Sequence, residues 1–221
     1  MIKTVIFDMD GVIVDTEPVH HYAFVQHFKQ LNIEVSPEMY ASFTGNSTKN
    51  VYQKIKNNFN LTNEIGDLVN AKRDFFNAAF DKKEDLFLLD GVEDLIKDLH
   101  LNGMQLILAS SSAKVTINRI FDRFNLHQYF TYKISGEDFE HSKPHPAIFE
   151  HAVFLSKMPK ENCIVIEDST NGIKSAKSAG IYCIGYDSVN SKLQDYSLAD
   201  EIIVDFKELS FEKIIKINHK L

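Results

Sequence analysis

The segment Val5-Ile6-Phe7-Asp8-Met9-Asp10-Gly11-Val12-Ile13-Val14-Asp15-Thr16 decides how the rest of the chain is read. An apolar run ends in two carboxylates, Asp8 and Asp10, one residue apart, and Gly11 follows at once. Alternate residues of a strand point the same way, so both carboxylates are directed to one region just past the strand's end. In open parallel sheets, ligands bind at that carboxyl edge. Two hard oxygen donors there suit Mg²⁺, and a carboxylate is also a nucleophile toward phosphorus. The same residues describe an ordinary turn closed by Asp side chains and Gly. The segment alone leaves both readings open, and residues downstream separate them.

From Pro18 to about Phe80 the pattern is helical, with no strand-like run of β-branched residues. His20, Phe24 and Phe28 recur at helical spacing, and Asn32 with Pro37 marks a stop. Val51, Ile55 and Phe59 follow, then Leu68, Ala71, Phe75 and Ala79. Three or four such helices make a small bundle inserted early in the chain. The polar run Asp81-Lys82-Lys83-Glu84-Asp85 is its return linker. Beyond it, helix-like segments at 92–101, 114–124, 146–155 and 171–179 alternate with strand-like ones at 105–109, 132–134, 163–166, 182–184 and 202–204. Leu106-Ile107-Leu108-Ala109 and Ile164-Val165-Ile166 are apolar throughout, as central strands covered on both faces require. The expected class is α/β, a doubly wound parallel sheet with a helical insertion.

A length of 221 residues fits one core domain with a large insertion, or two small domains. The 44% hydrophobic fraction allows a sizeable core. A net charge of −7 argues against a nucleic-acid partner, which needs a basic face. An acidic protein that handles phosphate must supply positive charge locally, from a metal, a Lys or backbone N–H groups. Cys163 and Cys183 each lie in an apolar strand-like run and are expected as buried free thiols in a reducing compartment. No leader is read ahead of the first strand and no run reaches membrane-spanning length, so the expected location is cytoplasmic, with no membrane partner.

Three further polar positions follow strand-like runs. Ser110 comes directly after 105–109, with Ser111 and Ser112 behind it. Lys143 lies in Ser142-Lys143-Pro144, just ahead of a helix, and Glu167-Asp168 end the run 163–166. Singly, each has an ordinary explanation: an N-cap, a solvated lysine, an acidic helix start. Their joint placement after successive strands is what those explanations miss. A carboxylate nucleophile, a hydroxyl, a cation and an acidic pair converge on one sheet edge, which is the inventory of phosphoryl transfer.

The motifs FDMDGVIVDTEP, LILASSS, SKPHPAIFE and VIEDSTNGIKSAKSAG together resemble those of the haloacid-dehalogenase-like hydrolase superfamily, within it the β-phosphoglucomutase-like subgroup, and the likeness covers nearly the whole chain. The resemblance implies a Rossmann-like core at 1–16 and 87–221 and a mobile α-helical cap at 17–86 that selects the substrate. It implies that Asp8 attacks phosphorus and that Asp10 serves as acid and then base. Ser110, Ser111 and Lys143 would hold the phosphoryl oxygens, with backbone N–H groups around Met9 and Gly11. Mg²⁺ would take Asp8, the Asp10 carbonyl, Asp168 and Glu167. Dehalogenases of this superfamily work without the second acid, so Asp10 favours phosphate chemistry.

In the cap, the resemblance places His20 where mutases assist the general acid, with packing or helix capping as the ordinary alternative. Thr16 and Glu17 lie at the hinge, and Thr44-Gly45-Asn46-Ser47-Thr48-Lys49 resembles the specificity loop. Alignment on Gly45 sets Thr44 and Thr48 where mutases carry a Lys and an Arg for a second phosphate, and a neutral Thr does not replace a bidentate clamp. Lys49, Lys72 and Arg73 are the cap cations left to do so, and Lys114 stands where mutases have an Asn. His141 and His145 have metal-like spacing, but Pro144 and Pro146 deny them a shared helix face, against zinc. Asn46-Ser47-Thr48 matches a glycosylation acceptor that a cytoplasmic protein would not use.

The expected function is therefore Mg²⁺-dependent hydrolysis of a small phosphorylated metabolite, a sugar or polyol phosphate, by a monomer. A β-phosphoglucomutase is the alternative within enzymes, and a catalytically silent binding module the alternative outside them.

Overall fold

Strands with no polar face need cover on both sides, and the sheet is built to give it. In the computed structural model, which describes residues 1–188 and 193–217, six strands lie in one parallel sheet. They are β1 (Thr4–Phe7), β2 (Gln105–Ser110), β3 (Tyr132–Ser135), β4 (Cys163–Glu167), β5 (Tyr182–Tyr186) and β6 (Glu201–Ile203). Their order is β3-β2-β1-β4-β5-β6, the doubly wound Rossmann-like arrangement. Side chains alternate between two buried clusters: Val5, Phe7, Leu106, Leu108, Ile164 and Ile166 on one face, Ile6, Ile107, Ala109, Val165 and Cys183 on the other. Both cysteines are buried and free. The chain order reverses at β1, which pairs with β2 on one side and β4 on the other. Phe7 stands level with Leu108 and Ile166, so Asp8 leaves the sheet beside the ends of both neighbours.

Four helices follow β1 directly: α1 (Glu17–Gln30), α2 (Pro37–Ala41), α3 (Thr48–Phe59) and α4 (Ile65–Lys82). They enclose an apolar cluster of Phe24, Phe28, Phe43, Val51, Tyr52, Ile55 and Leu68 and form the inserted helical cap. Helices α5 (Val92–Leu101), α6 (Lys114–Arg123), α7 (Ala147–Ser156) and α8 (Thr170–Ser178) cover the sheet, and the short α9 (Phe211–Ile214) follows β6. Among the described residues no helix is long and apolar enough to cross a membrane. The core range assigned from the sequence includes residues 189–192 and 218–221, which lie outside the described ones.

The stop read at Asn32 and Pro37 matches the structure: α1 ends at Gln30 and Asn32 takes a left-handed φ of +53°. Pro37 itself opens the next helix, where Ser36 Oγ accepts from Met39 N–H and proline at the first turn has no N–H to lose. Two local expectations differ. Thr48 and Lys49 are helical, because Ser47 caps α3 just before them. The buried stripe of α4 is Leu68, Lys72, Phe76 and Phe80, displaced from the expected Ala71, Phe75 and Ala79. An apolar count leaves a lysine outside, yet here Lys72 is drawn inward against His20 and two phenyl rings.

Candidate active site

Three strand ends bring the core residues together. Asp8 follows β1 and holds its place by donating its N–H to the Ile166 carbonyl at 3.0 Å. Lys143, 1% exposed, donates from Nζ to Asp8 Oδ1 at 2.6 Å, Glu167 Oε1 at 2.8 Å and the Ala109 carbonyl at 2.9 Å. It also lies over the Phe149 ring. Burial works against a charged lysine, but the two carboxylates outweigh it and hold Lys143 protonated. Burial pushes Asp8 up to about 7 against the pull of Lys143. Ser110, at the end of β2, accepts the Ser112 N–H on its Oγ at 3.0 Å and is fully buried.

Asp8, Glu167 and Asp168 place carboxylate oxygens within 4.8 Å of one another, all buried. Lys143 contacts two of these carboxylates, Asp8 and Glu167, and a cluster of three buried carboxylates favours a further cation. The donor set is all oxygen, which fits Mg²⁺ chemistry. Glu167 Oε2 already accepts from Ser169 N–H at 2.9 Å and Ser169 Oγ at 3.0 Å, so both its oxygens have partners. Asp8 and Asp168 are the better direct donors, with Glu167 in support.

Gly11 is expected from the sequence to offer its N–H to phosphate. That N–H instead donates to the Val14 carbonyl at 2.9 Å, which removes it from the cradle. What Gly11 contributes is space: φ is +84°, and a Cβ would overlap the Asp168 carboxylate. The Met9 side chain is buried and its carbonyl accepts from Ile13 and Val14, contacts that do not engage its N–H. Ser111 Oγ donates to the Gly45 carbonyl at 2.9 Å, so its side chain ties core to cap.

Asp10 points away from the acidic cluster. Ser112 Oγ donates to its Oδ2 at 2.6 Å, Thr16 Oγ1 donates to Oδ1, and His20 Nε2 lies 3.6 Å from Oδ1. Burial alone would raise Asp10, but His20, Ser112 and Thr16 overcome it and bring it to about 2. Asp10 is thus a carboxylate ready to accept a proton, and must receive one before it can donate. His20 Nδ1 meets Lys72 Nζ at 2.7 Å. Burial pulls Lys72 down to about 7, opposed by Asp10 and Glu17, and lowers His20 as well. Glu17 is pushed up to about 7 by burial, although Tyr40 Oη donates to it at 2.8 Å.

Between cap and core lies a cavity of about 480 Å³ lined by Asp8, Asp10, Glu17, His20, Lys72 and Asp168, with Gly45, Thr48 and Lys49 from the cap. Gly45 abuts Ser169, and Asn171 Nδ2 donates to the Thr44 carbonyl at 2.8 Å, fastening the cap loop to the core. Ser110 and Lys143 lie buried behind Asp8, outside the lining. The cap cations do not form a clamp: Lys72 is held by His20, Arg73 by Glu137 at 2.8 Å, and Lys49 is exposed on α3; Lys114 of the core is held by Asp138 at 2.5 Å. Sequence reasoning missed Ser112, Tyr40, Ser169 and Glu137 as partners. Ser112 had a signal, two residues beyond Ser110 in the same run. Ser169 is also local, two residues beyond Glu167, whereas Tyr40 and Glu137 depend on contacts distant in sequence.

The profile of the haloacid dehalogenase-like hydrolases matches residues 5–186. The chain belongs to this family. Among haloacid dehalogenase-like structures, it is similar to CbbY from Rhodobacter sphaeroides in complex with phosphate, 26% identical, with 95% of this chain and 96% of that one covered at a TM-score of 0.83. The β-phosphoglucomutase of Clostridium difficile is also 26% identical, with 98% and 96% covered at a TM-score of 0.84. A phosphorylated carbohydrates phosphatase of Thermotoga maritima is 26% identical over 81% of this chain and 82% of its own. The haloacid dehalogenase-like fold accounts for the sheet order and the helical cap after β1.

Proposed function

We propose that the chain is a Mg²⁺-dependent phosphatase of a small sugar or polyol phosphate, acting through an aspartyl phosphate, an acyl phosphate, on Asp8. The observation that carries this reading is Lys143 bridging Asp8 and Glu167 at 2.6 and 2.8 Å, with Asp168 in the same cluster and Asp10 pinned apart from it. One carboxylate sits among cations and cation sites, as a nucleophile toward an anion must. The other faces the cap, where a leaving group departs.

Asp8 attacks phosphorus, and the bond to the leaving oxygen breaks. Asp10, once protonated, gives its proton to that oxygen; it then removes a proton from the water that attacks the phosphoryl group, freeing inorganic phosphate and Asp8. Thr16, Ser112 and His20 keep Asp10 aimed during both steps. Lys143 holds Asp8 in place and balances charge as the phosphoryl oxygens approach, with the Ser110 hydroxyl at the same strand edge. Asp8, Asp168 and the Asp10 carbonyl would hold the Mg²⁺, supported by Glu167, and the ion would shield the two anions that must meet. The cap, taken as 17–86 against a core of 1–16 and 87–221, supplies Glu17, His20, Gly45, Thr48, Lys49 and Lys72 to the leaving-group side. Hydroxyl and amide groups of Thr44, Asn46 and Asn50 line the same cavity, as a polyhydroxylated leaving group needs. The Thermotoga maritima relative is named for phosphorylated carbohydrates. Buried free thiols suit a reducing, cytoplasmic compartment.

The likeness to a β-phosphoglucomutase at a TM-score of 0.84 favours one second reading, in which the phosphoryl group passes to another hydroxyl. Phosphorus NMR with Mg²⁺ and a panel of sugar phosphates separates the two. Inorganic phosphate as the main product is expected. Glucose 6-phosphate formed from β-glucose 1-phosphate without phosphate release would replace the phosphatase with the mutase.

A further inference from the structure

Arg73, Glu137 and Glu140 line the cavity between cap and core, and an ion pair from the core occupies the arginine. Glu137 and Asp138 lie in the single turn after β3. Glu137 Oε1 takes Arg73 of α4 at 2.8 Å, and its Oε2 accepts the Lys114 N–H at the start of α6 at 2.9 Å. That second contact satisfies one of the orphan donors of a helix N-terminus and fixes the carboxylate in place. Asp138 takes the Lys114 ammonium at 2.5 Å. Glu140 also lines the cavity, adding a further acid. Arg73, which lines the cavity, and Lys114, beside it but outside the lining, are therefore both paired. Lys49 and Lys72 are the lining lysines without an ion pair among the described residues: Lys49 is exposed on the first turn of α3, and Lys72 is buried against His20.

We infer that Glu137 sets the substrate class by occupying Arg73, so that the site accepts monophosphates with an uncharged leaving group and disfavours bisphosphates. This rests on the phosphatase reading of the site and deepens it. A second phosphate entering this end must displace Glu137 from a charge-assisted contact, draw Lys72 away from His20 and its two aromatic rings, or rely on Lys49, a solvated point charge. It must also approach Glu140. An uncharged polyol faces none of these costs and finds hydroxyl and amide partners in Asn46, Asn50 and Thr48. The same Arg73–Glu137 pair joins cap to core, so the closed arrangement and the filter are one contact.

The test uses Asp8→Asn protein with Mg²⁺, titrated calorimetrically with glucose 6-phosphate and with glucose 1,6-bisphosphate. The monophosphate is expected to bind more tightly. Glu137→Gln in that background should shift the affinity ratio toward the bisphosphate by about tenfold, the scale of one charge-assisted contact, since the amide releases Arg73. Adding Arg73→Gln should reverse the gain. Tighter bisphosphate binding before any change at Glu137 would overturn the inference. So would an unchanged ratio with both ligands weakened alike, which would leave the pair a cap fastener only, or a failure of both ligands to bind. Phosphate release by unmodified protein is followed separately: its absence would remove the phosphatase reading, while the binding ratio still decides the role of Glu137.

Discussion

Replacing Lys72 by methionine exchanges a buried ammonium for an apolar chain of similar length, and the protein should become more stable. Lys72 is 3% exposed and makes no carboxylate contact within ion-pair distance among the described residues. His20 and the rings of Phe24 and Phe76 surround it, with Asp10 and Glu17 on α1's side and Arg73 beside it on α4. Its fall from 10.5 to about 7, at 1.36 kcal/mol per unit, sets a ceiling of about 5 kcal/mol on the cost of the charged form. Loss of the His20 hydrogen bond takes back about 1 kcal/mol and loss of the ring contacts about another 1–2 kcal/mol. A net gain of about 1–3 kcal/mol remains, or a rise in Tm of about 3–10 °C for a chain of this size. The pH dependence has a definite sign. Below about 7 both folded and unfolded Lys72 are protonated, and the full cost is present. Between about 7 and 10.5 the folded group is neutral while the unfolded one is charged, so the wild type gains stability and the gap narrows. Urea unfolding of both proteins near the two ends of that range reads it directly. A Lys72→Met protein less stable than wild type on the acid side, or a gap that ignores pH, would refute the reasoning. Turnover should fall in the same variant, because Lys72 belongs to the leaving-group wall.

Gly172→Ala lies inside α8, where alanine ordinarily stabilises, yet a Cβ there would overlap the Glu167 carboxylate. It should destabilise by about 2 kcal/mol or more and raise the Mg²⁺ needed for half-maximal activity; a higher Tm would show that Glu167 moves freely. Asp10→Asn should slow formation and breakdown of the phosphoenzyme together, each by about 10²-fold or more, in rapid-quench kinetics; an unchanged breakdown rate would assign the base elsewhere.

Some of this was legible from local pattern. Asp8 and Asp10 announce themselves because strand alternation aims both past a strand end, and the doubly wound order follows from all-apolar runs separated by helices. Lys143 and Asp168 are readable only jointly, as polar residues each placed after a strand. Other features are invisible because their causes lie far away in the chain. Gly11 looks like a phosphate cradle, while its purpose is clearance for Asp168. Lys72 breaks the apolar stripe of α4 because His20 on another helix receives it, and Arg73 loses its candidacy to Glu137, a turn residue with no motif around it. Helical spacing reports which side of a helix is apolar, not which polar residue a neighbouring helix draws in.

The account stands on Asp8 as the atom that takes the phosphoryl group. Acid quenching during turnover with Mg²⁺ and a hydrolysed sugar phosphate, followed by peptide mass analysis, tests it most directly. The expected result is one phosphoryl mass increment on the peptide containing Asp8, labile to hydroxylamine and absent in Asp8→Asn. Turnover with no covalent adduct under any quench time, or an adduct on another residue, would contradict it.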